Sequence, residues 1–173
     1  MRRAVKGSAV ADMLVGAAVV VFVILPLFSV MMERYTISIK AEMIRDAVDM
    51  TNMSTYNAMN AAALGKGTVT LEQEQIPDIY QYLLARNLKL EGDLSPEEGS
   101  IAEGPVQIES LKAYPGGTGE TCPDGTFINR PSVHSCLIIP VKPLLFEEML
   151  LQVLGKQYIE LKIHVDTEIP VNQ

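Results

Sequence analysis

The sequence predicts an α+β protein in which one long N-terminal helix carries a small antiparallel β-sheet. An uncharged apolar run fills residues 13–32, and a stretch without glycine or proline extends it over residues 27–64. Shorter segments that alternate between apolar and polar residues follow. The first two patterns are typical of helix and the third of strand. We therefore divide the chain into a basic leader (residues 1–7), a long helix (8–64) and a globular head (65–173).

The apolar run has the length of a membrane span. Twenty helical residues at about 1.5 Å each cover the roughly 30 Å hydrocarbon core of a bilayer. Arg2, Arg3 and Lys6 precede the run and favour a cytoplasmic N-terminus. A cleavable secretory signal is the alternative. Against it, the run is long for such a signal, and residues 30–33 (VMME) offer no small-residue cleavage site.

Two positions in the apolar run predict local features of the helix. Pro26 removes a backbone hydrogen bond and crowds the preceding turn, so a kink or local unwinding is expected there. Gly16, followed by two alanines, gives a smooth patch where another helix can approach closely. Beyond the run the helix becomes amphipathic, so its apolar face is expected to pack against another part of the protein. Its predicted apolar face comprises Ile37, Ala41, Ile44, Ala47 and Val48, widened by Met43, Met50 and Met53.

The head is predicted to contain helices and at least three strands. Apolar residues at helical spacing indicate a helix from about Pro77 to Asn87, and a second short helix is expected over residues 144–154. Three antiparallel strands would cover the upper part of the long helix. Alternation places them at residues 105–114, 133–141 and 158–169.

Charge is concentrated in the head. Residues 1–64 carry six basic and five acidic side chains, whereas residues 65–173 carry eight basic and sixteen acidic ones. The net charges are therefore +1 and −8. An acidic head disfavours nucleic acid and anionic lipid as partners.

An acidic loop is predicted at residues 91–104. Asp93, Glu97, Glu98 and Glu103 could supply oxygen ligands to calcium, but their spacing matches no EF-hand loop. A solvated run of charges is the other interpretation.

Cys122 and Cys136 both lie in the head, where a disulfide between them is the expected arrangement. By closing the loop between them, such a disulfide would stabilise the fold by about 3 kcal/mol. Free thiols are the alternative. A metal site would add His134, but two cysteines and one histidine are too few ligands for a closed zinc site. The sequence thus predicts neither a metal nor a cofactor.

The sequence predicts no enzyme. It contains no glycine-rich phosphate loop, no HExxH and no G-x-S-x-G motif. His164 falls on the polar side of a predicted strand, where a solvated side chain is expected. Nothing in the spacing of Ser and Asp residues orders them into a triad.

The N-terminal pattern resembles the class III signal of type IV pilins. A short basic leader ends in Gly7, Asp12 is the fifth residue after it, and an apolar run containing Pro26 continues as helix into a soluble head. Among these proteins it is most similar to the tight-adherence (Tad-type) pilin-like group. The resemblance covers about residues 1–60. The acid in that family is usually Glu, and here it is Asp.

The resemblance implies a processing and assembly route. A prepilin peptidase would cut between Gly7 and Ser8, and Asp12 would pair with the new amine of Ser8 on the same or a neighbouring subunit. The precursor would sit in the inner (cytoplasmic) membrane with its N-terminus inside. The pilus assembly machinery would then build an extracellular homopolymeric filament, with Gly16 and Pro26 in its helical core.

Two alternatives stay open at this point. Asp12 could simply mark the cytoplasmic edge of an anchor. The chain as a whole could be a single-pass accessory or binding protein of a secretion, conjugation or adhesion system, with no filament at all.

Overall fold

The computed structural model describes residues 8–66, 76–114, 119–144, 155 and 157–169. It shows a long apolar helix followed by a small antiparallel sheet, the predicted α+β layout. The predicted short helix at residues 144–154 lies almost wholly outside the described residues. The elements are α1 (Ser8–Val19), a π-helical turn (Val20–Ile24), α2 (Leu25–Lys66), α3 (Ile76–Leu88), β1 (Gln107–Tyr114), β2 (Glu120–Thr121), β3 (Phe127–Ile128), β4 (Ser132–Val141) and β5 (Ile159–Glu168).

Helix α1, the π-helical turn and α2 follow one another without a break. The π-helical turn stands directly before Pro26, and the Leu25 N–H donates to the carbonyl of Val20, five residues back. A proline ring crowds the carbonyl four residues before it, and a wider turn makes room for that ring. The local disturbance predicted at Pro26 is therefore present as a π-helical turn.

The second half of α2 packs on the head. Ile44 and Val48 are fully buried, and Ala41 and Ala47 pack against the same core. Part of the predicted face is wrong, because Met43, Met50 and Met53 are exposed by 52%, 67% and 37%. At about 100° of rotation per residue, these methionines lie between about 100° and 180° around α2 from Ile44.

The main sheet has the strand order β1–β4–β5, and both pairings are antiparallel. The observed strands lie within two residues of the predicted bounds. Because side chains alternate across a strand, β4 turns Val133, Ser135, Leu137 and Ile139 to one face and His134 and Cys136 to the other. The first face joins α2 and α3 in the core, whose central members are Ile44, Val48, Tyr80, Leu84, Leu137, Ile139, Val141, Ile163 and Val165.

A buried polar network joins α2 to the sheet. The Asn52 side-chain amide donates to the carbonyl of Val133 at 3.2 Å and to the hydroxyl of Thr167 at 3.0 Å. Thr167 donates in turn to Asp49 at 2.6 Å. These directional bonds fix the helix against β4 and β5, which apolar contacts alone would not do. The long helix and the sheet therefore share one core.

The second face of the sheet is partly covered by the chain between β1 and β4. In that segment β2 and β3 form a two-stranded hairpin that pairs Glu120 with Ile128 and Thr121 with Phe127. The hairpin was not predicted, since two-residue strands leave no periodic signal. It places Cys122 next to the histidines of the sheet.

Candidate assembly helix and a cysteine-histidine-aspartate cluster

The apolar segment of the helix is exposed along its whole length. The structure contains one helix long and apolar enough to cross a membrane among the described residues, and the apolar window in it has no buried residue. Met13 and Phe22, for example, are 80% and 77% exposed. Each fully buried apolar side chain of this size is stabilised by about 1.5–3 kcal/mol. A helix of this length and apolar surface could cross a membrane.

Two of the assembly residues predicted from the sequence, Asp12 and Gly16, lie on α1. Asp12 is on an exposed position of α1, near its start at Ser8. Nothing lies within 4 Å of a Cβ built on Gly16, so its surface is open to a neighbouring helix. Gly7 lies outside the described residues. The geometry leaves the roles of these residues as predictions.

An apolar stripe continues this exposed surface up the side of α2 that faces away from the head. We call it the outer stripe. At 100° per residue its members fall within an arc of about 80°, interrupted by Asp46. The outer stripe consists of Tyr35, Ile39, Met43, Met50 and Met53, each between 37% and 67% exposed.

The predicted Cys122–Cys136 disulfide is absent, and both cysteines are buried free thiols. Cys136 lies on β4 and donates from its thiol to Glu109 at 3.1 Å. Cys122 lies in the hairpin and donates to Asp166 at 3.4 Å. Cys122 therefore contacts the same carboxylate that contacts His134, whereas Cys136 contacts Glu109.

Four side chains of different types meet under the hairpin. Cys122, His134, His164 and Asp166 each present one ligand atom, and these four atoms all lie within 4.8 Å of one another. We call them the four-residue cluster. The register of the sheet brings three of them together, since β4 pairs with β5 at His134–Asp166 and at Cys136–His164. The sequence reasoning did not join His164 or Asp166 to Cys122 and His134.

Aspartate oxygens lie close to both imidazoles. His134 Nδ1 lies 2.8 Å from Asp166 Oδ1, and His164 Nε2 lies 3.0 Å from Asp166 Oδ2. Asp124, in the hairpin turn, brings Oδ2 to 3.6 Å from His164 Nε2. The His134 side chain is fully buried, whereas that of His164 is 29% exposed. The predicted solvated position of His164 is therefore only partly correct.

Ser110, His134 and Asp166 also form a chain of contacts. The Ser110 hydroxyl oxygen lies 2.9 Å from His134 Nε2, on the opposite side of the ring from Asp166. This is the connectivity of a serine-hydrolase triad. Contacts of this kind also orient an imidazole that binds a metal. Cys122 and His164 are metal-ligand types for which a triad has no use, so the whole set favours metal binding. The absence of enzyme activity remains a prediction.

The acidic loop is organised by its own contacts. Asp93 accepts from the backbone N–H and the hydroxyl of Ser95, at 2.9 Å and 3.1 Å. The backbone bond above all, with the hydroxyl second, lowers the pKa of Asp93. Across the described residues, which include all of 91–104, the carboxylates of this loop do not gather into a metal-binding group. Solvated charges and a calcium site both stay predictions for this loop.

The contacts of Cys136 predict slow thiol chemistry. Burial, with a smaller contribution from the hydrogen bond to Glu109, raises the pKa of Cys136 from 9.0 to about 11. The thiolate is the reactive form, and its fraction at pH 8 falls roughly 100-fold for such a shift. We expect iodoacetamide at pH 8 to alkylate Cys136 about 100-fold more slowly in the folded protein than in denaturant, measured by peptide mass spectrometry. Equal rates would contradict the observed burial.

No family model, curated protein or solved structure matches this chain. Function is therefore inferred from the long helix and the outer stripe.

Proposed function

We propose that this chain is a structural pilin subunit that polymerises through its N-terminal helix into an extracellular filament of the type IV or Tad-like kind. The exposed apolar helix supports this proposal. Its surface would have apolar surroundings both in lipid and in a bundle of identical helices. Asp12 near the helix start, Gly16 with its open surface and the turn at Pro26 fit the same role. The acidic head would then face outward.

The observation that carries the proposal is the outer stripe. A single-pass anchor needs an apolar helix only where the helix crosses lipid. Here the apolar surface continues along α2 over residues 35–53, on the side away from the head. The other side of the same helix segment packs on the sheet. Apolar side chains arranged in this way on a helix are typical of a contact with another helix. A neighbouring copy of the chain would cover them.

The proposed route begins in the inner membrane with the N-terminus in the cytoplasm. A prepilin peptidase would remove residues 1–7 by cutting between Gly7 and Ser8, and the pilus assembly machinery would transfer the subunit to the filament. The new amine of Ser8 would face the carboxylate of Asp12. In a neutral pair the cost of removing each charge from water is reduced.

The second candidate is a single-pass membrane protein of a secretion, conjugation or adhesion system whose head binds a partner. The helix that is long and apolar enough to span a membrane favours it as much as it favours a pilin. The two candidates differ at the outer stripe, which only the filament needs.

Met43→Glu tests this difference. Met43 is 52% exposed, so the folded head should tolerate the change. In a filament the new carboxylate would be buried between helices, where an unpaired charge costs several kcal/mol. We expect filament in the sheared surface fraction to fall at least about tenfold, measured by immunoblot against the membrane-bound pool.

Ser38→Glu is the matched control. Ser38 is also exposed on α2 but lies outside the outer stripe, and the change adds the same charge. Filament yield should stay near that of the unmodified protein. If Met43→Glu and Ser38→Glu give the same yield, the outer stripe makes no contact between subunits.

A further inference from the structure

We infer that the four-residue cluster is a zinc site that fastens the β2–β3 hairpin to the main sheet. This inference does not depend on the proposed function, since the cluster lies in the head, away from the helical surfaces that would assemble. The site would be structural, because four protein side chains complete a tetrahedral zinc and leave no position for substrate.

The ligand types fit zinc. Thiolate, imidazole and carboxylate are the three groups that bind Zn²⁺ in proteins, at about 2.0–2.3 Å. In a regular tetrahedron these lengths separate the ligand atoms by roughly 3.3–3.7 Å. The widest separation here is 4.8 Å, so the side chains need to close by only about 1 Å. Small rotations of the four side chains about their χ angles can supply such a movement.

Charge balance supports the same ion. One thiolate from Cys122 and one carboxylate from Asp166 carry two negative charges, and the two imidazoles are neutral ligands. A divalent cation therefore balances the charge of the four ligands, which suits a place where His134 is fully buried. The further carboxylate of Asp124, 3.6 Å from His164 Nε2, is not one of the ligands and is 36% exposed to solvent. Buried charges are tolerated when they are paired or coordinate a metal.

An unsatisfied nitrogen points into the cluster. His164 Nε2 is buried and, among the described residues, has no partner with acceptable hydrogen-bond geometry, although Asp166 Oδ2 is 3.0 Å away. A buried polar atom left unpaired in this way calls for a ligand. His134 has contacts at both ring nitrogens, so one can bind the ion while the other keeps the orienting contact that metal-bound histidines usually make.

The zinc would cross-link the head, as the sequence predicted that a disulfide would. Cys122 belongs to the hairpin, His134 to β4, and His164 and Asp166 to β5. A shared ion therefore ties a short two-stranded hairpin, marginal by itself, to two strands of the core. Cys136 contacts Glu109 and is not one of the four ligands.

The test uses the full chain in detergent, freed of metal by a chelator and titrated with Co²⁺ and then with Zn²⁺ in competition. We expect one ion per chain, the visible bands of tetrahedral Co²⁺, and a near-ultraviolet band from thiolate to cobalt. Zn²⁺ should also slow amide hydrogen exchange in residues 119–131. The exchange measurement needs no variant, so it holds even if a variant fails to fold.

Three variants locate the site. Cys122→Ser should remove the thiolate band, and both it and His164→Ala should weaken Zn²⁺ binding at least about 100-fold, since even partners of ligands change affinity by 10–100-fold. Cys136→Ser should bind Zn²⁺ like the unmodified chain.

The inference is overturned if no metal binds, if Cys122→Ser binds equally well, or if the isolated chain carries a Cys122–Cys136 disulfide. Labelling of Ser110 by a fluorophosphonate, with or without Zn²⁺, would show a triad and also overturn it.

Discussion

Asp12→Ala should abolish filament formation and leave membrane insertion intact. The proposed partner of this carboxylate is the amine of Ser8, released when residues 1–7 are removed. Loss of one member of a buried charge pair costs about 3–5 kcal/mol, because the other charge stays buried without compensation. A change of that size lowers the constant for adding each subunit by more than about 100-fold. The measurement is the amount of protein in sheared filaments relative to alkali-extracted membranes.

Asp12→Glu is the control for this experiment. It keeps the carboxylate and adds one methylene, and it restores the residue that the resembling family usually has. We expect it to assemble. If Asp12→Ala assembles as well as Asp12→Glu, the carboxylate serves only to mark the cytoplasmic edge of the helix, which is the alternative that the sequence left open.

Leu137→Ala should produce the largest loss of stability in the head. Leu137 lies at the centre of β4 and is fully buried. It belongs to the core that joins α2, α3 and the sheet. Truncating a buried leucine costs about 3–5 kcal/mol through lost burial and the cavity left behind. A domain of this size is stable by only about 5–15 kcal/mol in total.

The measurement is hydrogen exchange of the full chain in detergent, followed for peptides of β4 and β5. Amides that exchange only through global unfolding should exchange more than about 100-fold faster in Leu137→Ala, because the free energy of unfolding is lower. Leu144→Ala makes the same chemical change at a residue that is 68% exposed, and it should have little effect. Similar exchange in the two variants would contradict the core described here.

The elements of the fold were predictable because their signals are local. The uncharged run and the absence of breakers predicted the long helix, and alternation predicted β1, β4 and β5. Pro26 predicted a local disturbance at its own position, and the π-helical turn lies just before it, at Val20–Ile24. The methionines of α2 were misplaced because the sequence does not say which side of a long helix the head will cover.

The four-residue cluster was not predictable as a set, because it depends on strand register. His134 meets Asp166 only through the pairing of β4 with β5, and Cys122 arrives from a hairpin whose two-residue strands have no periodicity. One signal was available. The spacings His134-x-Cys136 and His164-x-Asp166 each place two possible ligands on one face of a strand, and two adjacent strands of that kind can form a polar patch.

The most direct test of the central claim is the identity and N-terminus of the protein in material sheared from the cell surface. If the helix holds copies of the chain together, negative-stain images should show filaments, and their subunit should begin at Ser8. Surface material without this chain, with the intact chain beginning at Met1 found only as a monomer in the membrane, would contradict the account.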